Sequence, residues 1–252
     1  MAGLSLKEKL ASRPCFGTFL KLPRPEVVHI LALAGFDFVI CDMEHSQTSE
    51  VEARAVIREC VSVSLPVVVR LPDPSQGVVN RLLEAGATGI QMPRLQTSDD
   101  TRHMYKITHF PPNGGRSFGN ANVAAQYGSV SNNAYLESEN TRVLTVGQFE
   151  TRAMESPCDS MMDGLDVAFI GPQDLSIDYG VPGNFMDDNV QEHIRKVEMA
   201  ARRTGTFMGA FAGTPEQAKM YIDADYRFIA VGGDIGMLVK QSKSLVSELH
   251  GR

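Results

Sequence analysis

At 252 residues the chain is long enough to bury a sizeable core without staples, and its 43% hydrophobic and 21% charged residues are ordinary for a globular protein. Twenty-four Lys and Arg against thirty Asp and Glu leave a net charge of −6, which argues against nucleic acid or an anionic membrane as the main partner. The four cysteines are scattered without a CxxC pair, no run approaches the roughly 18 apolar residues of a membrane span, and the charged N-terminus lacks an apolar signal core, so a cytoplasmic protein without disulfides is expected.

In chain order, short β-branched apolar runs alternate with longer amphipathic stretches. The first strand is predicted at Gly17–Lys21, and PRPEVVHILALAG after it opens on prolines and stops at Gly35. A second strand, Phe36–Cys41, runs straight into Asp42, Glu44 and His45, and TSEVEARAVIREC then begins a helix with Thr48 and Ser49 as caps. Strands three and four are predicted at Val67–Arg70 and Gly89–Met92, followed by helices in DPSQGVVNRLLEAG and SDDTRHMYKITHF. Residues 111–140, rich in Gly, Asn and Ser, predict a long βα-type excursion and a candidate lid. Strands five to eight fall at Leu144–Phe149, Val167–Ile170, Phe207–Phe211 and Phe228–Val231. Their helices are TRAMESPCDSMMDG, DNVQEHIRKVEMAARRTG, TPEQAKMYIDAD and DIGMLVKQSKSLVSELH. Eight such units predict one (β/α)8 TIM barrel spanning residues 1–252. A doubly wound open sheet ranks below it, because no Gly-rich nucleotide fingerprint follows the first strand.

A barrel of this kind carries its active site at the C-terminal ends of its strands. Here those ends are charged: Asp42, Glu44 and His45 after strand two, Arg70 on strand three, Gln148 and Glu150 on strand five, and Asp174 after strand six. Taken singly, each has a bland explanation as a helix cap, a loop hydrogen bond or a structural ion pair. Taken together they make a coherent ring. Glu150 and Asp174 are hard oxygen donors suited to Mg²⁺ or Mn²⁺, with Co²⁺ not separated from them by two carboxylates. Arg70 offers a cationic fork to a carboxylate or enolate oxygen, and His45 can move a proton near neutrality, with Asp42 as a candidate to hold its tautomer. Gly171, Pro172 and Gln173 form a turn able to present backbone N–H groups to a substrate carboxylate.

The stretches GTFLKLPRPEVVHILALAGFDFVICDMEHS, PVVVRLPD, LLEAGATGIQMPRLQT, PPNGGRSFG, QFET, VAFIGPQDLSIDYGVPGN and FIAVGGD run in order over nearly the whole chain. In that combination the chain resembles the HpcH/HpaI aldolases, class II pyruvate aldolases of the phosphoenolpyruvate/pyruvate barrel superfamily. The resemblance implies that Glu150 and Asp174 bind a divalent metal, that Arg70 stabilises the pyruvate enolate, and that His45 transfers a proton. It matches Glu84 to the acidic partner of the histidine, where some relatives carry Asp, and Asp42 to a second acid near the arginine and histidine. Gln148 matches a wall of the site, and Gln173 stands where relatives often have a small residue in the carboxylate-holding turn. Arg116 lies in a loop that often meets the distal part of the substrate. The resemblance further implies dimers that exchange C-terminal helices, assembled as hexamers, with Ile235–His250 in that role.

The expected activity is reversible cleavage of a 4-hydroxy-2-oxo acid into pyruvate and an aldehyde. The rivals are a Schiff-base lyase using Lys21, an acyl-CoA carbon–carbon lyase on the same barrel, and a 2-oxo-acid-binding protein without turnover.

Overall fold

The computed structural model describes residues 4–251. Eight apolar runs form parallel strands: β1 (Cys15–Leu20), β2 (Phe38–Asp42), β3 (Val67–Arg70), β4 (Gly89–Met92), β5 (Leu144–Phe149), β6 (Val167–Ile170), β7 (Phe207–Ala212) and β8 (Phe228–Gly233). They close in chain order into one barrel, β8 pairing back onto β1. Strands covered on both faces need apolar side chains in both directions, which is why β2, β3, β5 and β6 are buried at every position. The predicted (β/α)8 barrel is therefore the observed fold. β2 starts two residues later than expected because Asp37 is occupied ahead of the strand, where it ion-pairs with Arg13 at 2.6 Å and accepts the Phe16 N–H at 3.0 Å.

The helices are α1 (Leu6–Ser12), α2 (Pro25–Leu33), α3 (Glu50–Ser62), α4 (Gln76–Glu84), α5 (Ser98–Thr108), α6 (Asn132–Arg142), α7 (Pro172–Asp178), α8 (Asp188–Thr204), α9 (Pro215–Asp223) and α10 (Asp234–Leu249). Three of them begin with reciprocal caps: Ser5 with Glu8, Ser49 with Glu52, and Thr97 with Asp100. Two apolar clusters fill the space between barrel and helices, one around Val39, Val69 and Leu82, the other around Phe149, Ile170 and Ala210. A third occupies the barrel interior, where the Phe38 and Phe228 rings stack at 4.1 Å. Leu6 and Leu10 of α1 join that inner cluster fully buried, so α1 closes the end of the barrel at which the strands begin.

Two expectations are corrected. TRAMESPCDSMMDG forms no α-helix; after Pro157, which lacks an N–H, only a 3₁₀ turn at Cys158–Met162 appears. Residues 111–140 are not a βα excursion. They follow α5 and lead through α6 into β5, so they belong to the end where strands start, and they cannot close over this chain's own strand ends. They pack instead around a small core of Phe110, Ala125 and Tyr135. α10 also departs from a barrel helix: among its residues only Asp234 is buried, while Leu238 and Leu249 are 62% and 86% exposed.

Candidate active site

Strand register brings the first charged pair together. Asp42 at the end of β2 is the direct partner of Arg70 at the end of β3, and Arg70 in turn is level with Gln91 on β4. Arg70 binds Asp42 through both arms of its fork, Nε to Oδ1 at 3.0 Å and Nη2 to Oδ2 at 2.7 Å. Its free edge, Nη1, lies 3.1 Å from Glu44 Oε2, and its guanidinium sits 4.7 Å from the Phe19 ring centroid. Asp42 also accepts the backbone N–H groups of Glu44 and His45 on Oδ1, at 3.1 and 3.2 Å. The turn after β2 is thus folded around one carboxylate. Burial acts to raise the Asp42 pKa, but the hydrogen bonds and charge of Arg70, with the His45 amide and Lys21, outweigh it and hold it at about 2.

His45 stands beside this pair with its side chain 55% exposed to the cavity, its Nε2 3.6 Å from Glu44 Oε2. Asp42 therefore grips the backbone of His45 and the fork of Arg70, and Glu44 is the acid nearest the imidazole. The expectation that Asp42 holds the ring tautomer is replaced by that arrangement.

On the opposite side of the barrel, β5 and β6 supply the carboxylates. Glu150, 3% exposed, accepts the Arg94 N–H on Oε1 at 3.0 Å and the Gln148 amide on Oε2. Gln148 is itself held by Gln91 Nε2 at 2.6 Å. Burial, then the charges of Asp174 and Glu44, push the Glu150 carboxyl up to about 7 against those hydrogen bonds. Asp174 lies in the first turn of α7, and Gly171 before it leaves no room for a side chain: a Cβ there would come within 2.6 Å of Glu150 Oε2 and 2.9 Å of Glu150 Cβ. Glycine at that position is what lets β6 pass close to the Glu150 carboxylate.

A cavity of about 600 Å³ lies at the C-terminal ends of the strands, and Glu150 stays buried just outside it, behind Gln148 and Gly171. Its lining includes His45, Arg70, Gln148, Gly171, Pro172, Gln173 and Asp174, all expected from the sequence. It also includes the loop after β7, at Phe211 and Gly213, and the end of β8 from Gly232 to Gly236, both legible as strand ends, and Phe19, which sequence reasoning missed. The glycines that follow the β7 and β8 runs put backbone rather than side chain against the cavity. Gln91 was missed as well; a glutamine inside the apolar run GIQM is buried polar surface that needs a partner.

Two expected residues lie elsewhere. Glu84 is at the C-terminus of α4, which runs back to the barrel end where strands begin, so within one chain it is at the far end from His45. Arg116 is buried in the 111–140 segment, ion-paired with Glu139 at 2.8 Å and stacked 4.4 Å from the Phe110 ring centroid. It holds that segment together and does not line the cavity of its own chain.

The donor set fits a divalent cation. Glu150 is driven toward neutrality by burial and by the charge of Asp174, a strain that a 2+ ion held by these carboxylates would relieve. Among the described residues no cluster of three or more His, Cys, Asp or Glu could hold a metal, so water and substrate oxygens would complete the shell. Lys21 Nζ lies 3.2 Å from Asp42 Oδ2, an ion pair that occupies the side chain at the end of β2.

The comparisons with known proteins agree on a family for this barrel. A profile described as HpcH/HpaI aldolase/citrate lyase matches residues 15–241. The hydroxypyruvate/pyruvate aldolase of Paraburkholderia phytofirmans is 30% identical, over 97% of this chain and 97% of its own. The 4-hydroxy-2-oxo-heptane-1,7-dioate aldolase of Salmonella heidelberg is 32% identical over 94% of this chain and 90% of its own. Among solved structures, the HpcH/HpaI aldolase from Desulfitobacterium hafniense superposes with a TM-score of 0.92 at 27% identity, covering 98% of this chain and 97% of that one.

Proposed function

Because the chain belongs to the HpcH/HpaI aldolase/citrate lyase family, we propose that it is an aldehyde-lyase, a class II aldolase that cleaves 4-hydroxy-2-oxo acids reversibly to pyruvate and an aldehyde. The observation that carries the reading is the meeting, at one cavity, of a fixed Arg70 fork, an accessible His45 and the Asp174 carboxylate, with the Glu150 carboxylate buried directly behind the lining residues Gln148 and Gly171.

Glu150 and Asp174 would hold the divalent metal, Mg²⁺, Mn²⁺ or Co²⁺, which would polarise the 2-oxo acid and favour its enolate. The substrate carboxylate rests against Gly171, Pro172 and Gln173, and Gln148 fixes the wall beside Glu150. His45 takes the proton of the 4-hydroxyl group. As the C3–C4 bond breaks, the aldehyde leaves and the bonding electrons become the enolate of pyruvate. Arg70, already desolvated and aimed by Asp42, faces the negative oxygen of that enolate with no reorganisation to perform. A proton returned to C3 completes pyruvate. Run backward, the same steps join the enolate to an aldehyde.

A homo-oligomer, with α10 seated on a second copy in a trimer of dimers, completes the proposal. It is supported by the apolar side chains that α10 leaves exposed, Leu238, Val239, Leu245 and Val246 among them. The pairing of Glu84 with His45 then requires a neighbouring copy, since one chain keeps them at opposite ends. Four free, buried cysteines support the cytoplasmic placement, and no helix among the described residues is long and apolar enough to cross a membrane.

The test is pyruvate release from a panel of 4-hydroxy-2-oxo acids, with EDTA and then with added Mg²⁺, Mn²⁺ or Co²⁺. EDTA abolishes release and metal restores it, and neither Glu150→Gln nor Asp174→Asn is rescued. Release indifferent to EDTA, or either variant turning over like the parent, refutes the metal assignment.

A further inference from the structure

Lys21 follows β1 directly and lines the cavity beside His45 and Arg70. Its Nζ lies 3.2 Å from Asp42 Oδ2 and donates to the His45 carbonyl oxygen at 3.4 Å. The backbone of Lys21 is gripped from its other side. Asp234, buried at the start of α10, accepts the N–H of Lys21 at 2.9 Å and of Leu22 at 2.8 Å on Oδ2. Its Oδ1 accepts the N–H of Ile235 at 2.7 Å. A continuous series of charge-assisted contacts thus runs from the first turn of α10, through Lys21, to the carboxylate that orients Arg70 and folds the His45 turn.

The rest of the hold on that turn comes from one side. Arg70 reaches Asp42 from β3, and the Glu44 and His45 amides belong to the turn itself. Lys21 is the contact that ties the turn to β1. It binds the two ends of the turn at once, the side chain of Asp42 and the carbonyl of His45, so it fixes their separation as well as their position. Asp42 is wholly buried while the Lys21 side chain is about a third exposed, an arrangement in which the carboxylate stays put and the ammonium is the adjustable part.

We propose that Lys21 is a positioning residue: anchored by Asp234, it braces the Asp42–His45 turn against β1 and so sets the place of the His45 imidazole relative to the Arg70 fork. The assignment rests on the aldolase reading for its kinetic consequence, while the brace itself is readable without turnover.

The experiment compares Lys21→Met, which keeps the apolar stem and removes the charge, with Lys21→Arg, which keeps a cation of similar reach. Two readouts are taken, steady-state pyruvate release and hydrogen exchange of the Glu44 and His45 amides. Lys21→Met lowers kcat by about tenfold or more with KM within about twofold, as misplacement of a proton-transfer group does. The two amides exchange faster in the same variant, and Lys21→Arg recovers most of both effects. Unchanged kcat and exchange in Lys21→Met overturn the proposal. A loss confined to KM overturns it by making Lys21 a substrate contact, and Lys21→Arg as inactive as Lys21→Met, with borohydride trapping of the parent, overturns it by making Lys21 the nucleophile. If the parent releases pyruvate from no substrate, the aldolase reading falls, and the amide exchange still decides the brace.

Discussion

Replacing Asp42 by Asn keeps the shape of the side chain and removes the charge on which Arg70, Lys21 and two backbone amides converge. A buried guanidinium left without its carboxylate costs about 3–5 kcal/mol, so Asp42→Asn should lower the denaturation midpoint as well as the turnover rate. The same pair gives a pH signature. The Asp42 carboxyl is depressed from an ordinary 3.8 to about 2 in the fold, so the unfolded chain takes up its proton first as the pH falls. The stability contributed by this residue is complete above about 3.8 and is lost between there and about 2. The gap between parent and Asp42→Asn in chemical denaturation should therefore be wide at pH 7 and roughly half as wide at pH 3, where the loss is part-way through. A gap undiminished at pH 3 would mean that packing, rather than charge, ties Asp42 in place.

The strands were readable as elements because parallel barrel strands are buried on both faces and show as apolar runs. Their charged ends were readable as a site for the same reason: Asp42, Arg70 and Glu150 interrupt those runs where a core residue would otherwise stand. Short helices were harder. α1 carries only the Ser5–Glu8 capping box as its signal, and the stretch around Pro157 has helical composition but lacks the N–H a helix needs there. Glu84 and Arg116 were misplaced for a topological reason. Composition marks 111–140 as a long excursion, whereas its position after a helix, not after a strand, decides which end of the barrel it occupies. α10 was legible as a helix, and its unburied apolar side chains ask for a cover. Leu238→Glu combined with Leu245→Glu should leave the barrel folded by circular dichroism and shift the mass in light scattering to a smaller species. An unchanged mass would remove α10 from the interface.

At the scale of the whole molecule, the barrel divides its work by ends. The strand C-termini gather the reactive groups, and the opposite end carries α1, the 111–140 segment and Glu84. If Glu84 serves His45, it does so across a contact between copies, and two defective chains can then make one competent site. His45→Ala and Glu84→Ala, each weak alone, should recover measurable pyruvate release when refolded or expressed together. No recovery, with Glu84→Ala as active as the parent, would leave Glu84 outside the chemistry.

The stacked phenylalanines and the α1 plug have a kinetic corollary. With Phe38 and Phe228 packed across the interior and Leu6 and Leu10 filling the far end, the barrel offers the substrate no way through and the cavity has a closed floor. Whatever lies deepest leaves last. In the proposed pose the pyruvate half sits against Arg70 and Gln148, and the aldehyde half lies toward the mouth. Cleavage should then be ordered, aldehyde first and pyruvate second. Pyruvate should inhibit in competition with the substrate and the aldehyde should not; the reverse pattern in product-inhibition plots would turn the substrate end for end.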